Sequence, residues 1–162
     1  MYDPLASALS RLPYLPSPES VIEAAMRLAK PREGEVLADL GCGDGRVLVY
    51  AARKYGVYAV GFELNPFLVG LAKREAKLTG LYSTIEIVHS DFFLHDLSRF
   101  DVIFSYPSPT IAGKLGLKLA SECKPGCRVV IHDHLPSNLK PTRVISIPSG
   151  GPHIHLVALY RF

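Results

Sequence analysis

The sequence contains no glutamine, only two asparagines (Asn65 and Asn138) and three cysteines. Depletion of the thermolabile amides points to a thermophile. The cysteines, Cys42, Cys123 and Cys127, are odd in number, which argues against a disulfide framework and for a reducing compartment. No stretch approaches the ~20 apolar residues that cross a bilayer. Residues 1–12 lack the apolar run of a signal peptide. A cytoplasmic chain with no membrane partner is the expectation. Charge of one sign is scarce as well. The net charge is +3 and the 18 Lys and Arg are scattered, so no basic stripe argues for nucleic acid, although nucleic acid stays open as a substrate.

What is present is an ordinary globular composition, 48% apolar and 20% charged over 162 residues. That suffices for one domain, residues 1–162, with a buried core. Residues 1–16, with Pro4, Pro13 and Pro16, read as an irregular arm over the active site. Ser17 is then placed to cap a helix with Pro18 at its first position, and Val21, Ile22, Ala25 and Leu28 give that helix an apolar stripe. From residue 35 strands and helices alternate: strands at 35–40, 57–63, 84–89, 101–105 and 128–133, helices at 45–55, 66–79 and 110–123. Apolar runs such as Val36-Leu37-Ala38 and Val129-Val130-Ile131 suit strands buried on both faces of a parallel sheet. The ending differs. Segments 143–147 and 153–160 are strands joined by Pro148-Ser149-Gly150-Gly151-Pro152, a hairpin whose last strand runs antiparallel. Alternating units closed by a hairpin resemble the Rossmann-like class I methyltransferase sheet, and that resemblance implies an α/β fold of seven strands ordered 3-2-1-4-5-7-6, last strand antiparallel, with helices on both faces.

The turn Asp39-Leu40-Gly41-Cys42-Gly43-Asp44-Gly45 lies where a strand gives way to a helix. Glycines there let backbone approach a ligand, and the first amides of the helix are expected to face it. Dinucleotide sites read G-x-G-x-x-G; this turn reads G-x-G-x-G behind an acid. A carboxylate at Asp39 suits the ammonium of S-adenosylmethionine (SAM) better than a pyrophosphate. Glu63, ending the second strand beside Leu64 and Asn65, is placed to accept both ribose hydroxyls. Asp91 after the third strand is placed to accept from the adenine amine, with Phe92 packing on the ring. The three acids end adjacent strands, where open α/β sheets bind ligands, so SAM is the expected cofactor, held by Asp39, Gly41, Cys42, Gly43, Asp44, Gly45, Glu63, Leu64, Asn65, Asp91 and Phe92.

After the fourth strand comes Ser105-Tyr106-Pro107-Ser108-Pro109. Amino-directed methyltransferases often carry an [Asn/Asp/Ser]-Pro-Pro-aromatic loop there, and this loop matches it in part. Tyr106 also favours a methylammonium or sulfonium through cation–π attraction. Apart from the arm nothing covers the site, which suits a residue projecting from a macromolecule. Ser105, Tyr106 and Pro107, with Tyr14, are the candidate catalytic residues.

Four stretches together carry a resemblance: Tyr14-Leu15-Pro16-Ser17-Pro18, residues 39–46, Glu63-Leu64-Asn65-Pro66 and His132-Asp133-His134-Leu135-Pro136. They resemble the small archaeal protein-lysine methyltransferases and their mitochondrial relatives, which methylate lysines of ATP synthase and of the adenine nucleotide translocase. The resemblance implies a protein substrate offering lysine side chains, and roles at the acceptor site for Tyr14, Pro16 and Ser17. Adjacency to the Ser105 strand extends that lining to His132 and Asp133. Two features depart from the family: the membrane segment of the mitochondrial relatives is absent, and residues 106–109 differ. An RNA or small-molecule methyltransferase and a non-catalytic SAM-binding protein are the alternatives, and the oligomeric state stays open.

His132, Asp133, His134, His153 and His155 bring metal-ligating side chains together in sequence. Their spacing matches no zinc motif, and strand-end histidines are usually solvated or hydrogen-bonded, so no metal is expected.

Overall fold

The computed structural model describes residues 14–162; residues 1–13 of the arm expected over residues 1–16 lie outside them. Seven strands form one sheet: β1 (Val36–Leu40), β2 (Tyr58–Glu63), β3 (Ile85–His89), β4 (Val102–Ser105), β5 (Arg128–His132), β6 (Arg143–Pro148) and β7 (Ile154–Arg161). Four helices accompany them among the described residues: α1 (Glu19–Ala29) before β1, α2 (Arg46–Tyr55), α3 (Pro66–Leu78) and α4 (Ala112–Glu122). A 3-10 turn, Phe92–Leu94, follows β3. The order is β3-β2-β1-β4-β5-β7-β6. Pairing is parallel from β3 through β5, while β7 runs antiparallel to both neighbours. Fold class, strand order and the reversed last strand agree with the sequence reading, and element ends agree within one or two residues.

Alternation along the strands sorts their side chains into two cores. Leu37, Val102, Phe104, Val130, Val157 and Leu159 face α1, α2 and Ala76 of α3. Ala38, Ile103, Val129, Ile131, Ala158 and Tyr160 face the other way, onto Leu115 and Leu119 of α4 and onto Leu97 and Phe100. Both faces of β1, β4 and β5 are therefore dry, which is why those strands read as unbroken apolar runs. Burying each Leu or Phe contributes about 1.5–3 kcal/mol.

Local side-chain and glycine chemistry sets two of the helix ends. Asn65 caps α3, its Oδ1 accepting from Phe67 N–H at 2.9 Å with Pro66 at the first position. Gly56 closes α2 at φ +66. Ser17, expected to cap α1, does not. The cap is Pro18, with no side-chain hydrogen bond, and the Ser17 hydroxyl instead lies 2.9 Å from His132 Nδ1, 115 residues away. A buried imidazole nitrogen needs a partner more than a helix end that water can reach.

Candidate functional site

All parallel strands point their carboxyl ends to one edge, and a cavity of about 330 Å³ opens there. Asp39, on β1, forms part of its wall. Its carboxyl is buried, and Oδ1 has no hydrogen-bond partner among the described residues. Burial first, and then the charges of Glu63 and Asp44, hold its pKa well above the usual carboxylate range. An orphaned buried acid oxygen calls for a cationic donor.

The glycine turn follows it directly in the chain. Gly41 and Cys42 donate their amides to Phe62 O, Gly43 donates to Glu63 Oε2 at 2.9 Å, Gly45 to Cys42 O, and Arg46 to Asp44 Oδ1. These five amides are spent within the protein, and the free group beneath them is a carboxylate. Gly43 lies at φ +55 with the Tyr14 ring where its Cβ would be, 2.6 Å from Cε2. Gly45, at φ +83, turns towards Ala72 of α3 and is absent from the cavity wall.

Glu63 ends β2 with its carboxylate fixed. Besides Gly43, it accepts from Leu64 N–H at 3.0 Å and Asn65 N–H at 2.9 Å. Three of about four lone-pair directions are thus taken. Asp91 caps the 3-10 turn through Phe93 N–H at 2.9 Å and reaches the cavity with Phe92, whose ring packs on Phe93 with centroids 4.4 Å apart. Cys42, Asp44, Leu64 and Asn65 complete this side of the wall.

Tyr14, Leu15, Pro16 and Ser17 and residues 106–109 also line the cavity. The pKa of Tyr14 is pushed up to about 12 by burial and the neighbouring Asp44 carboxylate, so its hydroxyl stays protonated. Tyr106 packs against His132, ring centroids 3.8 Å apart and planes tilted by 36°, and donates to Asp133 Oδ2 at 3.2 Å. Burial and the Asp133 charge raise its pKa too. Pro107 lines the cavity, but Ser105, His132 and Asp133 do not. Ser105 is fully buried, its hydroxyl donating to Leu40 O at 3.0 Å across the β1–β4 pair. His132 sits behind the Tyr106 ring, and burial lowers its pKa to about 4, leaving it neutral.

Sequence reasoning missed Arg46, Phe62, Leu68, Ser90, Phe104 and His134 on the wall. Phe62 and Phe104 read only as core, because strand periodicity does not reveal which buried ring sits at an open edge. His134 carried a signal in the His132-Asp133-His134 triplet, and its ring stacks 6.0 Å from Tyr106. Gly61 of β2 was also missed. A Cβ there would meet Cys42 Sγ and Leu48 Cδ1 at 2.6 Å, so Gly61 makes the room in which the turn folds. The three cysteines are free thiols.

Residues 39–143 match the ANTKMT methyltransferase domain family. A protein-lysine N-methyltransferase of Saccharolobus islandicus is 34% identical over 95% of this chain and 96% of its own length. The adenine nucleotide translocase lysine N-methyltransferase of Mus musculus is 34% identical over 74% of this chain, and the match spans 52% of that longer protein. Among solved structures, an RNA methyltransferase of Salinibacter ruber in complex with S-adenosylhomocysteine superposes with TM-score 0.84, is 33% identical, and covers 91% of this chain with 93% of its own.

Proposed function

Because the chain belongs to the ANTKMT methyltransferase domain family, we propose that it transfers the methyl group of SAM to the side-chain amine of protein lysine. The observation that carries SAM is the buried Asp39 carboxyl with its unpaired Oδ1 beside a turn in which the amides of Gly41, Cys42, Gly43 and Gly45 are already bonded. That pairing fits a ligand with an ammonium group and no phosphate. In this reading Asp39 receives the ammonium, the remaining acceptor capacity of Glu63 receives a ribose hydroxyl, and Asp91 with Phe92 holds the adenine. Gly41, Cys42, Gly43, Asp44, Leu64 and Asn65 shape the wall around them, with Gly45 supporting the turn from behind.

A lysine acceptor is supported by the Saccharolobus and mouse relatives and by the aromatic mouth formed by Tyr14 and Tyr106. A lysine of pKa ~10.4 is neutral about once in 2,500 molecules at pH 7, a cost of ~4.6 kcal/mol. When bound, SAM supplies an electrophilic methyl on a sulfonium. Tyr14, Pro16, Tyr106 and Pro107 would strip water from the incoming amine, which favours its neutral form, and align it for in-line attack. Ser105 and His132 act from behind the wall by fixing β4 and the Tyr106 ring; Ser17 and Asp133 hold that ring's supports. A cytoplasmic enzyme agrees with three free thiols, and no helix among the described residues is long and apolar enough to cross a membrane.

The Salinibacter structure's RNA activity makes RNA the second reading, and one experiment separates the two. Methyl-labelled SAM is incubated with the enzyme and a lysate depleted of small molecules. Label lost to protease but not to ribonuclease, and recovered as methyl-lysine on hydrolysis, is the expected result. Label lost to ribonuclease alone refutes the lysine assignment.

A further inference from the structure

Half of the chain's six histidines crowd around a single carboxylate oxygen, at the seam where β5 ends and β7 begins. His132 Nε2 lies 3.4 Å from Asp133 Oδ2, His155 Nδ1 lies 3.5 Å from it, and the two nitrogens are 3.0 Å apart. His153 Nε2 approaches the same oxygen at 3.1 Å from the solvent side. Ligand atoms bonded to tetrahedral zinc at ~2.0–2.1 Å stand about 3.3 Å from one another. The three atoms therefore already form one triangular face of such a tetrahedron.

We propose that His132 Nε2, His155 Nδ1 and Asp133 Oδ2 bind a divalent transition-metal ion, with zinc the expected occupant and water at the fourth position. Two imidazoles and one carboxylate select zinc and its neighbours over magnesium or calcium, which take oxygen ligands.

The surroundings orient each ligand as metal sites require. Ser17 Oγ lies 2.9 Å from the far nitrogen of His132, leaving Nε2 facing the cluster. Leu156 N–H donates to Asp133 Oδ1 at 2.8 Å, which turns Oδ2 towards the rings. Asp133 reaches this pose by adopting φ +60 directly after β5. His132 pairs with Val157 in the β5–β7 register, so His155, two residues before Val157 in β7, stands on the same face. The His155 side chain is 12% exposed and that of His153 58%, so an ion enters from solvent by displacing the exposed His153 contact. Tyr106 rests on one ligand and donates to another. The ion would thereby stiffen one wall of the cavity without touching what binds there. The proposal is independent of the methyl acceptor.

Tag-free protein stripped with a chelator and titrated with cobalt(II) tests it. The expected result is visible absorption of a four-coordinate nitrogen–oxygen cobalt complex that saturates at one equivalent and is abolished by zinc. Zinc should also raise the melting temperature by several degrees. His155→Ala and Asp133→Asn should each weaken cobalt binding at least tenfold, while His153→Ala should change it by no more than a few-fold. Asp133→Asn preserves side-chain shape, so it serves if the histidine variant fails to fold. Folded protein that gives no saturable cobalt spectrum, or binding untouched in both ligand variants, overturns the site.

Discussion

A carboxyl group taken out of water resists ionisation, and Asp39 does so with one oxygen unpaired. Its raised pKa has a definite sign in stability. Between the ordinary carboxylate value near ~4 and the raised folded value, the folded chain holds a proton that the unfolded chain has lost. Stability of the ligand-free protein should therefore fall as pH climbs through that window, and the fall should shrink in Asp39→Asn when melting temperature is followed against pH. The same variant is expected to melt a few degrees higher at neutral pH yet to bind S-adenosylhomocysteine ~10- to 100-fold more weakly by calorimetry, the cost of one charge-assisted hydrogen bond. Unchanged affinity would remove Asp39 from the cofactor site.

Among the elements, β2 shows how a strand serves a turn it does not contain. Gly61 leaves space for Cys42 and Leu48. Gly61→Ala should overpack that contact at about 1–3 kcal/mol, lowering the melting temperature by roughly 2–12 °C in a thermal scan. The alternation of strands and helices was legible because period and turn chemistry agree locally, as at Asn65-Pro66 and Gly56. What was not legible depends on distant partners. Nothing near Ser17 in sequence indicates that its hydroxyl will be drawn to His132 rather than to α1. The acids at 39, 63 and 91 could be placed at the cavity by their strand ends alone. That the amides of the turn would be consumed by Phe62 and Glu63 required knowing the β1–β2 register.

Across the whole molecule, stability is unevenly distributed. The β1, β4 and β5 strands are buried on both faces, whereas β6 pairs only with β7 and is largely exposed. Amide exchange should accordingly be fastest in β6 and slowest in the central three strands; uniform protection would contradict this ordering. A ligand at the carboxyl edge draws on that central region. S-adenosylhomocysteine at a hundred times its dissociation constant should add ~2.7 kcal/mol, or roughly 5–11 °C in melting temperature. The triple amide grip on Glu63 bears on how the molecule can change over evolutionary time. A loop held in one shape before its ligand arrives costs little ordering entropy on binding, so in the proposed site the nucleoside half would act as a finished mould. Under the proposed function, substitutions around residues 14–17 and 106–109 would then explore new acceptors without recasting it.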